Sequence, residues 1–140
     1  MAGSRVKGIA CIVDTDVAID FLRGRDYARE LLQRWVSKGL LAISTLTHLE
    51  TYQGMKAGEE EATNTFLDGL VSVAVDIPIA RRAGTILGEL RSKGVTVGIA
   101  DAIIGATALQ LNAPLLTNNV EHYPFADLKV LTGFEDSSNK

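Results

Sequence analysis

Cysteine is nearly absent from this chain: Cys11 is the only one in 140 residues. A single thiol excludes an intrachain disulfide framework and a cysteine-built zinc centre. Histidine is almost as scarce. His48 and His122 lie 74 positions apart, with no HxH or HExxH spacing. No run of 18 apolar residues is present, so no stretch reads as a membrane-spanning helix. The N-terminus shows no apolar signal core followed by a small-residue cleavage site. The expected compartment is the cytoplasm, without membrane association. Basic residues are not in excess either: 14 Lys and Arg stand against 17 Asp and Glu, a net charge of −3. That is not the bulk signature of a nucleic-acid binder. With thiols and imidazoles so few, carboxylates are left as the candidate metal ligands.

What is present is an ordinary globular composition, 46% apolar and 22% charged. The length predicts a single domain over 1–140 with an ordered core at about 8–131. Charge is uneven along it. Residues 1–38 carry seven Lys and Arg against five Asp and Glu, and residues 39–76 carry one against six. An acidic total of this kind can conceal carboxylates gathered for a cation.

The chain alternates short apolar runs with amphipathic stretches. MAGSRVK reads as a loose start. Gly8 to Val13 is an unbroken apolar run rich in β-branched residues, a buried strand that stops at Asp14. Val17 to Leu22 is a short helix, and Asp26 is placed to cap a second over Tyr27 to Ser37. Leu40 to Ser44 is a strand, and Ser44 or Thr45 opens a helix to about Lys56. Glu59 to Gly69 is helical with an acidic first turn. Val71 to Val75 is a strand, and Ile77 to Lys93 a long helix with Pro78 in its first turn. Asp101 to Leu111 is a helix apolar nearly all round and therefore buried. Pro114 to Thr117 and Leu128 to Leu131 are the last strands, and TGFEDSSNK reads as a frayed tail. Strands alternating with helices predict an α/β fold, a three-layer α/β/α sandwich on a mostly parallel central sheet. Ligands in such folds bind beyond the carboxyl ends of the strands.

Four polar residues fit a purely structural role poorly. Asp14 follows the first buried strand directly, where an unpaired carboxylate costs several kcal/mol; as a structural residue it would cap the next helix. Glu50 lies about 40° from Leu46 around its helix, near the buried seam; its structural alternative is an ion pair with an arginine. Asp101 opens the most apolar helix, where it could equally be an N-cap. Asn119 stands two residues past the strand that ends at Thr117, a position that also suits a turn. Three carboxylates and an amide oxygen make a hard-oxygen set suited to Mg2+ or Mn2+. Such a cation favours hydrolysis of a phosphoric ester.

The stretches IVDTDVAIDFLRG (Ile12 to Gly24), ISTLTHLETYQG (Ile43 to Gly54), IADAIIGATALQLNAPLLTNN (Ile99 to Asn119) and NVEHYPFADLKVL (Asn119 to Leu131) resemble, in order, the PIN-domain ribonucleases of the VapC toxin type. The resemblance covers nearly the whole chain. It implies a Mg2+- or Mn2+-dependent endoribonuclease whose metal-binding acids match Asp14, Glu50 and Asp101. The family's fourth acidic position matches Asn119, an oxygen without a charge. Two residues after Asp14, where the family has Ser or Thr, stands Asp16, a possible further ligand or a first-turn acid favoured by the helix dipole. Thr117 could orient a ligand or the scissile phosphate. The resemblance also implies an RNA substrate, a homodimer, and a cognate antitoxin seated in a groove near the site.

CIVDTDV also matches the opening motif of haloacid-dehalogenase-type phosphatases, with Asp14 as nucleophile and Asp16 as general acid. That family's late DD or GDxxxD pair is missing here, and Asp101 stands alone. A third reading is an inactive PIN-like binding module. Trp35, Tyr52, Met55, Phe66 and Leu67 exceed what a small core needs and hint at a docking surface, with core packing as the alternative. Arg23, Arg25, Arg81 and Arg82 are candidates to meet RNA phosphates or to balance the acidic cluster, with a solvated face as the structural alternative.

Overall fold

The computed structural model describes residues 8–132. The expected loose start, MAGSRVK, and all of the expected frayed tail beyond Thr132 lie outside them. The order is β1 (Ile9–Val13), α1 (Thr15–Leu22), α2 (Asp26–Val36), β2 (Leu40–Ser44), α3 (Thr45–Gln53), α4 (Glu60–Asp68), β3 (Val71–Val73), α5 (Ile77–Ser92), α6 (Ile99–Gln110), β4 (Leu115–Leu116) and β5 (Val130–Leu131). A 3-10 turn at Val120–His122 separates the last two strands.

The sheet runs β3-β2-β1-β4-β5, and every pairing is parallel. Strand side chains alternate between its faces. Cys11, Val13, Leu41, Ile43 and Leu116 turn to one face, where they meet Val17, Ala18, Leu31, Leu32 and Leu67 of α1, α2 and α4. Ile12, Ala42 and Leu115 turn to the other, against Ile79 and Ala83 of α5 and the small residues of α6. Both faces are covered, as continuous apolar strands require. The result is the α/β sandwich expected from the alternation of elements.

Helix α6 packs closely because it is built from Ala102, Ala106, Ala108 and Gly105, all buried. A Cβ on Gly105 would stand 2.1 Å from Cε2 of Phe125, so glycine there lets the loop after β4 lie directly on the helix.

Element ends differ from the sequence expectations in physically telling ways. Asp26 is the first residue of α2, not its cap; Arg25 takes that place without a side-chain bond. Helix α6 starts two residues before Asp101, with Gly98 as its cap. Asp101 therefore sits inside the first turn, and its carboxylate is free for other partners. Helix α3 ends at Gln53 rather than near Lys56, where Gly54 closes it. Ser44 caps α3 by accepting from Leu46 N at 3.0 Å.

After β1 the chain builds outward through β2 and β3, then returns to place β4 on β1's other side. The carboxyl ends of β1 and β4 therefore flank the switch point, the standard ligand position of such sheets.

Candidate active site

Asp14 ends β1 and caps α1. It is 5% exposed, yet all its partners are neutral. Its Oδ1 accepts from Thr15 N at 2.7 Å. Its Oδ2 accepts from the Thr117 hydroxyl at 2.7 Å and from the Tyr123 hydroxyl at 2.8 Å. Burial, with the Asp16 charge adding to it, pushes this carboxyl up from 3.8 to about 7 against the pull of those three hydrogen bonds.

Asp16, in the first turn of α1, points into the same mouth. Its Oδ2 accepts from Asn118 N at 2.9 Å and from Asn119 Nδ2 at 3.0 Å. Its Oδ1 accepts from Val17 N at 2.7 Å. Burial raises its carboxyl as well. Thr117 stands between the two acids. Its single proton belongs to Asp14, the nearer partner, and its oxygen accepts from Asn119 N at 3.0 Å.

Glu50 and Asp101 come from flanking helices and are half-buried. Among the described residues no arginine pairs with Glu50. Its Oε1 accepts instead from the Thr15 hydroxyl at 2.6 Å, and Thr15 Oγ1 also lies 2.9 Å from Thr47 Oγ1. Asp101 Oδ1 lies 3.2 Å from the Tyr123 hydroxyl, and its Oδ2 lies 3.3 Å from Nδ1 of His122.

The structure thus brings Asp14, Asp16, Thr117 and Asn119 into direct hydrogen-bond contact. Tyr123 links Asp101 to Asp14, and Glu50 is joined through Thr15, the residue next to Asp14. Asn119 presents its amide nitrogen to Asp16, so the acid in this quarter of the site is Asp16. Among the described residues no three of His, Cys, Asp and Glu stand as a ready-made ligand group. The fit to a cation comes from the donor set: carboxylate oxygens, one deeply buried, held by neutral hydroxyl, amide and backbone donors, with no Lys or Arg among the described residues bonded to Asp14, Asp16 or Glu50. A hard divalent cation suits such donors.

Sequence reasoning assigned no role to Tyr123, Thr15, Asn118 or His122. Tyr123 and His122 lay inside a quoted block, and Asn118 in the TNN run, but nothing in their local pattern marks them. Asn118 also reaches Tyr27, whose hydroxyl in turn contacts Asp20.

A groove of about 340 Å³ opens between α1, α3 and α4, with Leu22, Thr51, Met55 and Ala62 in its walls and Arg23 and Glu59 also lining it. Of the residues singled out for docking, Met55 lines this groove, Tyr52 is exposed, Phe66 stacks on Phe21 and Leu67 is core. Lys38 lies 5.3 Å over the ring of half-buried Trp35.

The PIN-domain family model matches residues 11–128. Ribonuclease VapC19 of Mycobacterium tuberculosis is 36% identical over 120 residues, which are 84% of this chain and 96% of that protein. Ribonuclease VapC10 of the same organism is 38% identical over 120 residues, 84% of this chain and 90% of that one. Among solved structures, a toxin–antitoxin complex from Klebsiella pneumoniae superposes with a TM-score of 0.76 at 28% identity, covering 89% of this chain and 98% of the other. VapBC2 from Rickettsia felis, bound to a DNA fragment from its promoter, has the same fold, with a TM-score of 0.79 at 22% identity over 89% of this chain and 98% of the other.

Proposed function

This chain belongs to the PIN-domain family, and from that premise we propose that it is a metal-dependent endoribonuclease, the toxin of a toxin–antitoxin pair. It is read as one PIN-like domain. The observation that carries the reading is Asp14: a buried carboxylate at the switch point, paired with no Lys or Arg among the described residues and shifted to about 7. The family match across residues 11–128 sets aside the haloacid-dehalogenase reading of CIVDTDV. Two relatives named as ribonucleases, each matching 84% of the chain, support the activity.

Asp14, Glu50 and Asp101 are the residues proposed to hold Mg2+ or Mn2+, with Asp16 supplying the further acid beside Asn119. A divalent cation there would supply Lewis acidity toward a phosphoryl oxygen and lower the pKa of water. The chain's own groups do the rest. Thr117 keeps the Asp14 carboxylate aimed outward from β1, and Thr15 turns Glu50 toward the same mouth. The backbone N–H of Asn118 and the Asn119 amide hold Asp16 in place. Arg23, Arg81 and Arg82, all exposed, are available to RNA phosphates, whereas Arg25 lies 3.8 Å from Asp20.

The antitoxin is proposed to enter the groove beside α1, α3 and α4, where apolar walls lie next to charges of both signs. A second copy of the chain would cover apolar side chains left in solvent, Ile77 and Ile99 being the most exposed at 64% and 70%. No helix among the described residues is long and apolar enough to cross a membrane, and a cytoplasmic location is proposed.

The test is cleavage of RNA by purified protein with and without Mn2+, with Asp101→Asn as control. Mn2+-dependent cleavage lost in the variant is expected. An inactive binding module would show neither cleavage nor a Mn2+-dependent rise in melting temperature.

A further inference from the structure

Tyr123 is 4% exposed, and its hydroxyl ends between two carboxylates that arrive on different elements. It donates to Asp14 Oδ2 at 2.8 Å and lies 3.2 Å from Asp101 Oδ1. Among the described residues it is the only hydrogen-bonded link between these two acids. A buried phenol needs a partner for its polar tip, and one partner would suffice; here the tip reaches two.

The ring is fixed independently of the acids. It packs edge-on against Phe125, with centroids 5.7 Å apart and planes at 74°. Phe125 in turn lies against Gly105, where any Cβ would collide with it. Tyr123 N donates to Val120 O at 3.0 Å, closing the turn that delivers the side chain. The hydroxyl is therefore held from the side of α6 and the loop after β4, and the carboxylates are held to it.

We propose that Tyr123 is a positioning residue, whose hydroxyl sets the spacing of Asp14 and Asp101 so that one divalent cation can engage both. The inference rests on the functional reading above, in which those acids bind the cation. Tyr123 itself stays outside the ligand set and acts through Asp14, as hydrogen-bonding partners of metal ligands commonly do.

The experiment is calorimetric titration of Mn2+ into the full chain, paired with metal-free melting curves. Tyr123→Phe keeps the ring and its contact with Phe125. It is expected to fold and to bind Mn2+ about 10- to 100-fold more weakly, the range typical for loss of such a partner. A residue with only a packing role would shift the melting temperature and leave the affinity unchanged, which overturns the proposal. Replacing Tyr123 by 4-aminophenylalanine keeps the ring and restores an N–H donor at the same place. Affinity within a few-fold of native is expected there, and a loss above about tenfold overturns the proposal even if Tyr123→Phe fails to fold. If the native chain binds no Mn2+ at all, the functional reading fails and this inference with it. Binding by native protein that Tyr123→Phe leaves unchanged removes this inference alone.

Discussion

The inner and outer acids of the site are built differently. Asp14 and Asp16 lie at the mouth between β1 and β4, each accepting three hydrogen bonds of 3.0 Å or less, backbone N–H groups among the donors. Glu50 and Asp101 sit on flanking helices, more open to solvent; Glu50 accepts from the Thr15 hydroxyl, and Asp101 lies between the Tyr123 hydroxyl and the His122 ring. The inner pair is held by bonds that come with the fold, so its geometry is fixed by the assembled sheet and its charge is desolvated. The outer pair lies nearer water and takes its direction from few contacts, one hydroxyl for Glu50 and a hydroxyl and an imidazole for Asp101. Stability and function should therefore respond differently when each pair is altered.

The largest separation is expected at Asp14. Asp14→Asn keeps a capping side chain but removes the buried charge. RNA cleavage should fall by about a thousandfold or more, equivalent to roughly 4 kcal/mol of lost transition-state stabilisation. Metal-free stability at pH 8 should rise by about 1–2 kcal/mol, because desolvation no longer opposes folding. Denaturant melts read this directly, and a clear fall in stability would show that the three hydrogen bonds outweigh the desolvation.

Next come the outer acids. Glu50→Gln or Asp101→Asn should lower cleavage by about a hundredfold, while metal-free stability stays within about 0.5 kcal/mol, as for other partly solvated positions. A large stability change in either variant would erase the inner–outer distinction.

The pH dependence sharpens it further. Asp14 is raised from 3.8 to about 7 on folding, so the folded chain holds this proton more tightly than the unfolded one. Its contribution favours folding fully below pH 3.8 and is lost as pH rises toward 7. Metal-free melting temperatures across that window should fall with pH in the native chain, and the fall should be shallower in Asp14→Asn. An equal slope in both proteins would assign the proton elsewhere.

The smallest effect is expected at Asn119. Its amide nitrogen lies 3.0 Å from Asp16 Oδ2, so Asn119→Asp sets a second carboxylate against the first. Mn2+ binding should tighten about tenfold, near 1.4 kcal/mol, and the metal-free melting temperature should drop. If affinity and melting both stay put, Asn119 is a turn residue and the cation belongs to the remaining acids.

Much of this arrangement was legible locally. Asp14 stood out because it ends an apolar run, and Glu50 because its helix turns it toward the seam. Cap assignments were less secure. Asp26 and Asp101 each sit inside a first turn instead of before it, because the cap falls where the backbone leaves the extended region, as at Gly98. Tyr123 was invisible for a different reason. It lies 109 residues from Asp14 in a loop whose pattern carries no periodicity, and its role exists only once β4 is beside β1.

By itself, the sequence determined the alternation of strands and helices, the two-faced burial of β1 and β2, and the placing of charged residues at strand ends and on one apolar helix. These follow from side-chain periodicity and apolar runs, which act over a few residues. The tertiary structure decided that β4 returns to the open side of β1, since pairing across a hundred residues depends on how both faces of the sheet are covered. That return sets Thr117 and Asn119 against Asp14 and Asp16. It brings the Tyr123 hydroxyl between two acids, and it removes Asp14 from water, which raises its proton affinity and suits the site to a cation.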